Sequence, residues 1–226
     1  MTQETARSQI VEIGIIPAVR TSSADDARFA AETIARAGIP IVEITMTVPH
    51  ALEIIRDLSE HVPDVIVGAG TVLDTDTARR CIDAGARFIT SPGLDREVVK
   101  FTQHQDVLSI PGALTPTEVT AAIHAGADLI KIFPCAQVGG ASYIHALMAP
   151  FPEARFVAAG GVNQQTAADF IVAGASAIGV GAELIPRKAI RERDVHWITE
   201  LARRFTHIVQ AAREQIAGPH EAVDHR

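Results

Sequence analysis

The sequence predicts an α/β chain, a (β/α)8 TIM barrel built as a single domain over residues 1–226. Three observations carry that prediction. Eight short apolar segments rich in Val and Ile recur along the chain, and continuous runs of that length suit parallel strands covered on both faces. Helical patterns separate them. The segments "ARAGIP", "DAGARF", "HAGADL" and "VAGASA" each place a glycine (Gly38, Gly85, Gly126 and Gly174) just ahead of a strand, where a helix C-cap belongs. A doubly wound open sheet is the runner-up, and eight regular repeats argue against it.

The elements follow in order. A short N-terminal helix comes first. The strands are read as "VEIGIIPAV", "IPIVEIT", "DVIVGAG", "ARFITS", "DVLSIPG", "ADLIKIF", "ARFVAAG" and "ASAIGVG". The helix in "SADDARFAAETIARAG" opens on Ser and two Asp and closes on Gly. In "LTPTEVTAAIHAG", Thr115 is the N-cap, Pro116 occupies the first helical position and Glu118 the third, a capping-box start. The last helix is "DVHWITELARRFTHIVQAAREQI", and the tail from about residue 217 reads as loose and solvated.

Composition sets outer limits. The chain is 47% hydrophobic but only 4% aromatic, so its core must be Val, Ile, Leu and Ala. A net charge of −7 argues against non-specific nucleic-acid binding. It leaves room for a locally positive site. Cys81 and Cys135 stand in no metal-like spacing, and the nine histidines form no HxH or HxxxH pattern at a strand end. No secretory pattern opens the chain, and no apolar run approaches the roughly 20 residues that span a bilayer. The expectation is a cytoplasmic protein acting on a small molecule, with no metal, nucleic-acid or membrane partner.

In such a barrel, chemistry sits at the C-terminal ends of the strands. Arg20, Glu43, Thr45, Thr71, Ser91 and Lys131 fall there, mostly among apolar neighbours. Lys131 is the sharpest anomaly. It is one of only three lysines, set inside "GADLIKIFPC", where burying a charge is costly. An outward lysine with a buried stem and a wet head is the plain alternative. A lysine facing the barrel mouth is partly desolvated, and desolvation favours the neutral amine that attacks a ketone. Glu43, in "IVEIT", is the second anomaly, because a central parallel strand has no free edge to present it to water. A carboxylate there can move protons at the carbon beside an imine. Lysine and carboxylate together are the minimal kit for carbon–carbon cleavage through an imine.

The remaining candidates are less distinctive. Arg20 is either a surface charge or a clamp for a carboxylate. Thr45 and Thr71 could orient a substrate or serve only in a turn. The glycine runs "AAGGV" and "IGVGAEL" either serve plain turn geometry or let backbone amides approach an anion, in a barrel of this kind a phosphate. Cys135 reads as a small packing residue.

These residues resemble the class I 2-keto-3-deoxy-6-phosphogluconate (KDPG) and 4-hydroxy-2-oxoglutarate (KHG) aldolases. The resemblance runs from about residue 8 to 210, on "VEITMT", "VGAGTVL", "FITSPG", "IPGALTPTE", "LIKIFP", "APFPEARF" and "GGV" in that order. It implies that Lys131 forms a Schiff base and that Glu43 is the general acid/base, working through a water. It implies that Thr71 contacts the pyruvate portion, that Pro92 and Pro111 shape the pocket, and that Phe133 and Thr45 border it. Gly160 and Gly161, with Gly181 and the amides near Ala182, would hold a phosphate. The implied reaction is reversible cleavage of a 2-keto-3-deoxy-(6-phospho)sugar acid or 4-hydroxy-2-oxoglutarate. Its products are pyruvate and an aldehyde, D-glyceraldehyde 3-phosphate or glyoxylate. The family implies a homotrimer with no metal or organic cofactor.

Three positions depart from the family pattern. Thr47 stands where many members carry an arginine, so Arg20 becomes the expected carboxylate clamp. Ala159 and Ala182 stand where hydroxyl side chains are usual, which puts the distal, phosphate-binding half in question. The competing readings are a phosphate-binding barrel isomerase or synthase, in which Lys131 only binds an anion, and a non-catalytic keto-acid binder.

Overall fold

The structure, a computed structural model, describes residues 2–62 and 64–218. Its parallel strands are β1 (Ile15–Val19), β2 (Ile41–Thr45), β3 (Ile66–Gly70), β4 (Phe88–Thr90), β5 (Leu108–Ile110), β6 (Gly112–Ala113), β7 (Ile130–Ile132), β8 (Phe156–Ala159) and β9 (Ala175–Val180). They follow the spatial order β5-β4-β3-β2-β1-β9-β8-β7-β6. Nine segments appear where eight strands are expected, because the fifth strand is split at Pro111. Proline has no N–H to give to a ladder. The first half pairs with β4, placing Ile110 opposite Thr90. The second half pairs with β7, placing Gly112 opposite Lys131. The Pro111 carbonyl accepts the Lys131 N–H at 2.9 Å, so the ring closes across this break as a (β/α)8 barrel.

Ten helices surround or flank the strands among the described residues: α1 (Gln3–Ile13), α2 (Ala24–Arg36), α3 (Ala51–His61), α4 (Thr75–Asp83), α5 (Arg96–His104), α6 (Pro116–Ala125), α7 (Ala141–Met148), α8 (Ala167–Val172), α9 (Arg187–Arg191) and α10 (Val195–Ala217). The capping signals act where expected. Ser23 accepts the Asp26 N–H ahead of α2. The capping box on α6 is complete: the Glu118 carboxylate accepts the N–H groups of Leu114 and Thr115, each at 2.8 Å. Those hydrogen bonds hold Glu118 below its ordinary carboxylate value.

One boundary is corrected. Val11–Ile13, expected to open the first strand, end α1 instead. Gly14 closes that helix in the left-handed region at φ 73, its N–H bonded to the Ile10 carbonyl, so the strand starts at Ile15. Most of the expected tail, residues 219–226, lies outside the described residues. Ala217 is still helical.

Helix α1 packs against the N-terminal side of the barrel, opposite the strand ends that carry chemistry. There the Arg213 guanidinium, projecting from α10, donates to the carbonyls of Val11, Glu12 and Ser176. Burial pulls Arg213 below its ordinary value, with Glu12 opposing.

Candidate active site

At the C-terminal ends of the strands the barrel opens into a cavity of about 420 Å³. Its wall shows the strand period of two. Ile16, Ala18 and Arg20 come from β1 and its end, Lys131 and Phe133 from β7 and its end, Val157 and Ala159 from β8, and Gly179 and Gly181 from β9 and its end. The same alternation selects Glu43 on β2, Thr90 on β4 and Ile110 on β5. Lys131 therefore faces the lumen, and the outward reading of that lysine is set aside.

Glu43 is the deeper of the two charged groups, with its side chain 5% exposed against 16% for Lys131. Lys131 Nζ lies 4.0 Å from Glu43 Oε2. It makes no shorter polar contact to any described residue, and the Phe133 ring centroid is 5.4 Å away. The amine is thus partly withdrawn from water, near a carboxylate, and not saturated by hydrogen bonds. The carboxylate is held more firmly. The Thr90 hydroxyl donates to Oε2 at 2.8 Å. The other oxygen rests on Gly70, where a Cβ would come within 2.1 Å of Oε1. Any side chain on Gly70 would expel Glu43 from this position.

The distal half of the cavity is made of main chain. Gly160 and Gly161 both take left-handed conformations, φ 85 and 84. Gly181 begins a turn in which its carbonyl accepts the N–H groups of Leu184 and Ile185. Among the described residues the N–H groups of Gly161, Ala182 and Glu183 donate to no carbonyl in a turn or loop. Unpartnered amides clustered on loops form an anion-binding concavity. The exposed Glu183 and Arg187 add one charge of each sign to this rim.

Of the residues singled out in the sequence, Lys131, Glu43, Arg20, Phe133, Gly160, Gly161, Gly181 and Ala182 line the one cavity. Four others do not. Thr45 is fully buried and hydrogen-bonds the Val19 carbonyl at 3.2 Å and the Thr47 hydroxyl at 2.8 Å. Pro111 is buried in the strand break, and Pro92 is exposed on the following loop. Thr71 stands just past β3 with φ 62, a strained conformation for a β-branched residue that tends to persist at functional positions. Sequence reasoning passed over Thr90 in favour of its neighbour Ser91, whose hydroxyl instead closes a turn onto Gly93. Alternation from the buried Phe88 would have selected Thr90. Glu183 and Arg187 lie beyond the strand, where no period applies.

A family model for KDPG and KHG aldolases matches residues 6–201. The chain belongs to that family. A 2-dehydro-3-deoxy-phosphogluconate aldolase of Pseudomonas aeruginosa is 32% identical over 206 residues, covering 90% of this chain and 93% of the relative. Among solved members of the KDPG and KHG aldolase family, the enzyme of Zymomonas mobilis with 3-phosphoglycerate superposes with a TM-score of 0.82 at 28% identity, over 91% of this chain and 97% of that one. The KDPG aldolase of Legionella pneumophila, with pyruvate captured as a covalent carbinolamine, gives a TM-score of 0.81 at 29% identity, over 87% and 95%.

Among the described residues no three His, Cys, Asp or Glu side chains are grouped to hold a metal ion. No described helix is long and apolar enough to cross a membrane.

Proposed function

We propose that the chain is a class I aldolase that reversibly cleaves a 2-keto-3-deoxy-(6-phospho)sugar acid or 4-hydroxy-2-oxoglutarate into pyruvate and an aldehyde. The observation that carries this reading is the Lys131 amine, lumen-facing and unsaturated, 4.0 Å from the Glu43 carboxylate. The Lys131 nitrogen attacks the C2 carbonyl, and loss of water leaves a protonated imine. Glu43 then takes the proton of the C4 hydroxyl, through a water. The C3–C4 bond breaks, the aldehyde departs, and the electron pair passes through C3 into the imine nitrogen, giving an enamine. Protonation at C3 by the Glu43 acid restores the imine, and hydrolysis frees pyruvate. The lysine supplies an electron sink and the carboxylate shuttles one proton each way.

Arg20 clamps the substrate carboxylate, with Thr71 beside the pyruvate portion. The amides of Gly161 and Ala182, beside Gly160, take the distal anion, whether phosphate or carboxylate. Without hydroxyls at Ala159 and Ala182, this end offers its anion main-chain amides, with Arg187 on the rim. We read the whole chain as one cytoplasmic barrel domain, and the family resemblance favours a homotrimer. The exposed Leu73, Ile123 and Val138 offer apolar surface for subunit contacts.

The test is trapping. Pyruvate with borohydride is expected to leave one reduced adduct, on Lys131, located by mass spectrometry of the digest. An adduct spread over Lys100 and Lys188, or none, would sink the imine reading in favour of anion binding. Parallel assays with phosphorylated, carboxylated and unphosphorylated keto acids identify the aldehyde.

A further inference from the structure

We infer that Thr90 is a positioning residue for the proton-transfer step, serving as a two-way hydrogen-bond partner of Glu43. The inference rests on the imine reading above and adds a group to it. Glu43 and Thr90 are both buried, 4% and 1% exposed, and joined by a 2.8 Å hydrogen bond to Oε2, the oxygen nearer Lys131. The Gly70 backbone closes the other side of the carboxylate. Few waters can reach this group, so its fixed partner has to suit every charge state it passes through.

The reaction asks that of it. When C3 of the pyruvate imine loses a proton, the C3–H pair moves into a C2–C3 double bond and the imine electrons move to nitrogen. The proton goes to Glu43. The site then holds a neutral enamine beside a neutral carboxylic acid, where it had held a cation beside an anion. A hydroxyl donates to a carboxylate and, after rotating, accepts from a carboxylic acid. Thr90 can therefore keep Oε2 in place on both sides of the transfer. Backbone amides or an ammonium could serve only the ionised form.

The proposal separates imine formation from proton transfer. Purified full-length wild type, Thr90→Val and Thr90→Ser are each compared in two assays: borohydride trapping with pyruvate, and exchange of the pyruvate methyl hydrogens for solvent deuterium followed by NMR. Thr90→Val is expected to trap pyruvate on Lys131 as wild type does. Its exchange kcat should fall roughly tenfold or more while KM holds, as befits loss of a hydrogen bond to a charged group. Thr90→Ser keeps the hydroxyl and is expected to exchange within about threefold of wild type. Wild-type exchange in Thr90→Val overturns the proposal. So does a loss shared equally by trapping and exchange, or a serine variant as slow as the valine one. If the valine variant fails to fold, Thr90→Ala against Thr90→Ser decides by the same criteria. A wild type that forms no adduct overturns the imine reading itself, and this proposal with it.

Discussion

Two half-buried cations sit at opposite ends of the barrel, and their surroundings differ. Arg213, at the N-terminal end, donates to three carbonyls drawn from α1 and β9. Lys131, at the C-terminal end, faces a single carboxylate at 4.0 Å and an aromatic ring. Burial alone does not distinguish a structural cation from a reactive one. Saturation does: the guanidinium has its acceptors and stays where it is, whereas the amine is left with valence directed into a cavity.

Five experiments could break or sharpen this contrast. The largest effect is expected at Lys131. Lys131→Arg keeps the charge and cannot form an imine, so aldolase activity should fall by on the order of 1,000-fold or more with no borohydride adduct. Its thermal midpoint should hold or rise, because an unsaturated cation contributes little to stability. Glu43→Gln comes next, with a loss of roughly 100- to 10,000-fold in turnover, as for a general acid/base. Trapping of pyruvate is the check, and should persist in this variant more than turnover does.

Arg213→Met should show the reverse pattern. Removing the donor leaves three carbonyls without this partner, those of Val11 and Ser176 part-buried, a loss of about 1–2 kcal/mol. That lowers the melting midpoint by roughly 5 °C for a domain of this size. Specific activity of the folded fraction should be unchanged. Activity loss without destabilisation would break the contrast.

Smaller effects come from two groups near the active end that are saturated or neutral. Glu118 accepts two backbone N–H groups and lies below its ordinary value. A depressed carboxylate contributes stability above its unfolded value and loses it as pH falls through the folded one. Urea titrations should show wild type ahead of Glu118→Gln above about pH 5, with the gap closing below about pH 4. Burial pushes the Cys135 thiol up to about 11, so it should alkylate slowly at pH 8, and Cys135→Ala should keep activity within about twofold.

The sequence made the barrel legible because its strands are continuous apolar runs, and a charged residue within such a run stands out. Lys131 and Glu43 were visible for that reason, and strand alternation directs both side chains into the lumen. Three other features depended on information the local pattern does not hold. The break at Pro111 is a change of neighbours, from β4 to β7, and "VLSIPGA" reads as one strand either way. The end of α1 turned on Gly14 taking a left-handed conformation, inside a run apolar enough to pass for strand. Thr90 looked like any strand threonine until Glu43 was placed beside it. Glu183 and Arg187 sit on a loop whose path only the fold defines.

The split fifth strand also bears on timing. The Lys131 N–H is bonded to the carbonyl of the one residue in that strand that cannot donate in return. The nucleophile is therefore hung on the seam by which the ring is shut. A chain with its helices formed and its seam open would present Lys131 to water, away from Glu43. Covalent capture of pyruvate during refolding then becomes a clock for ring closure, while far-ultraviolet dichroism follows the helices. Any interval between the two signals measures how long the barrel exists as an open sheet.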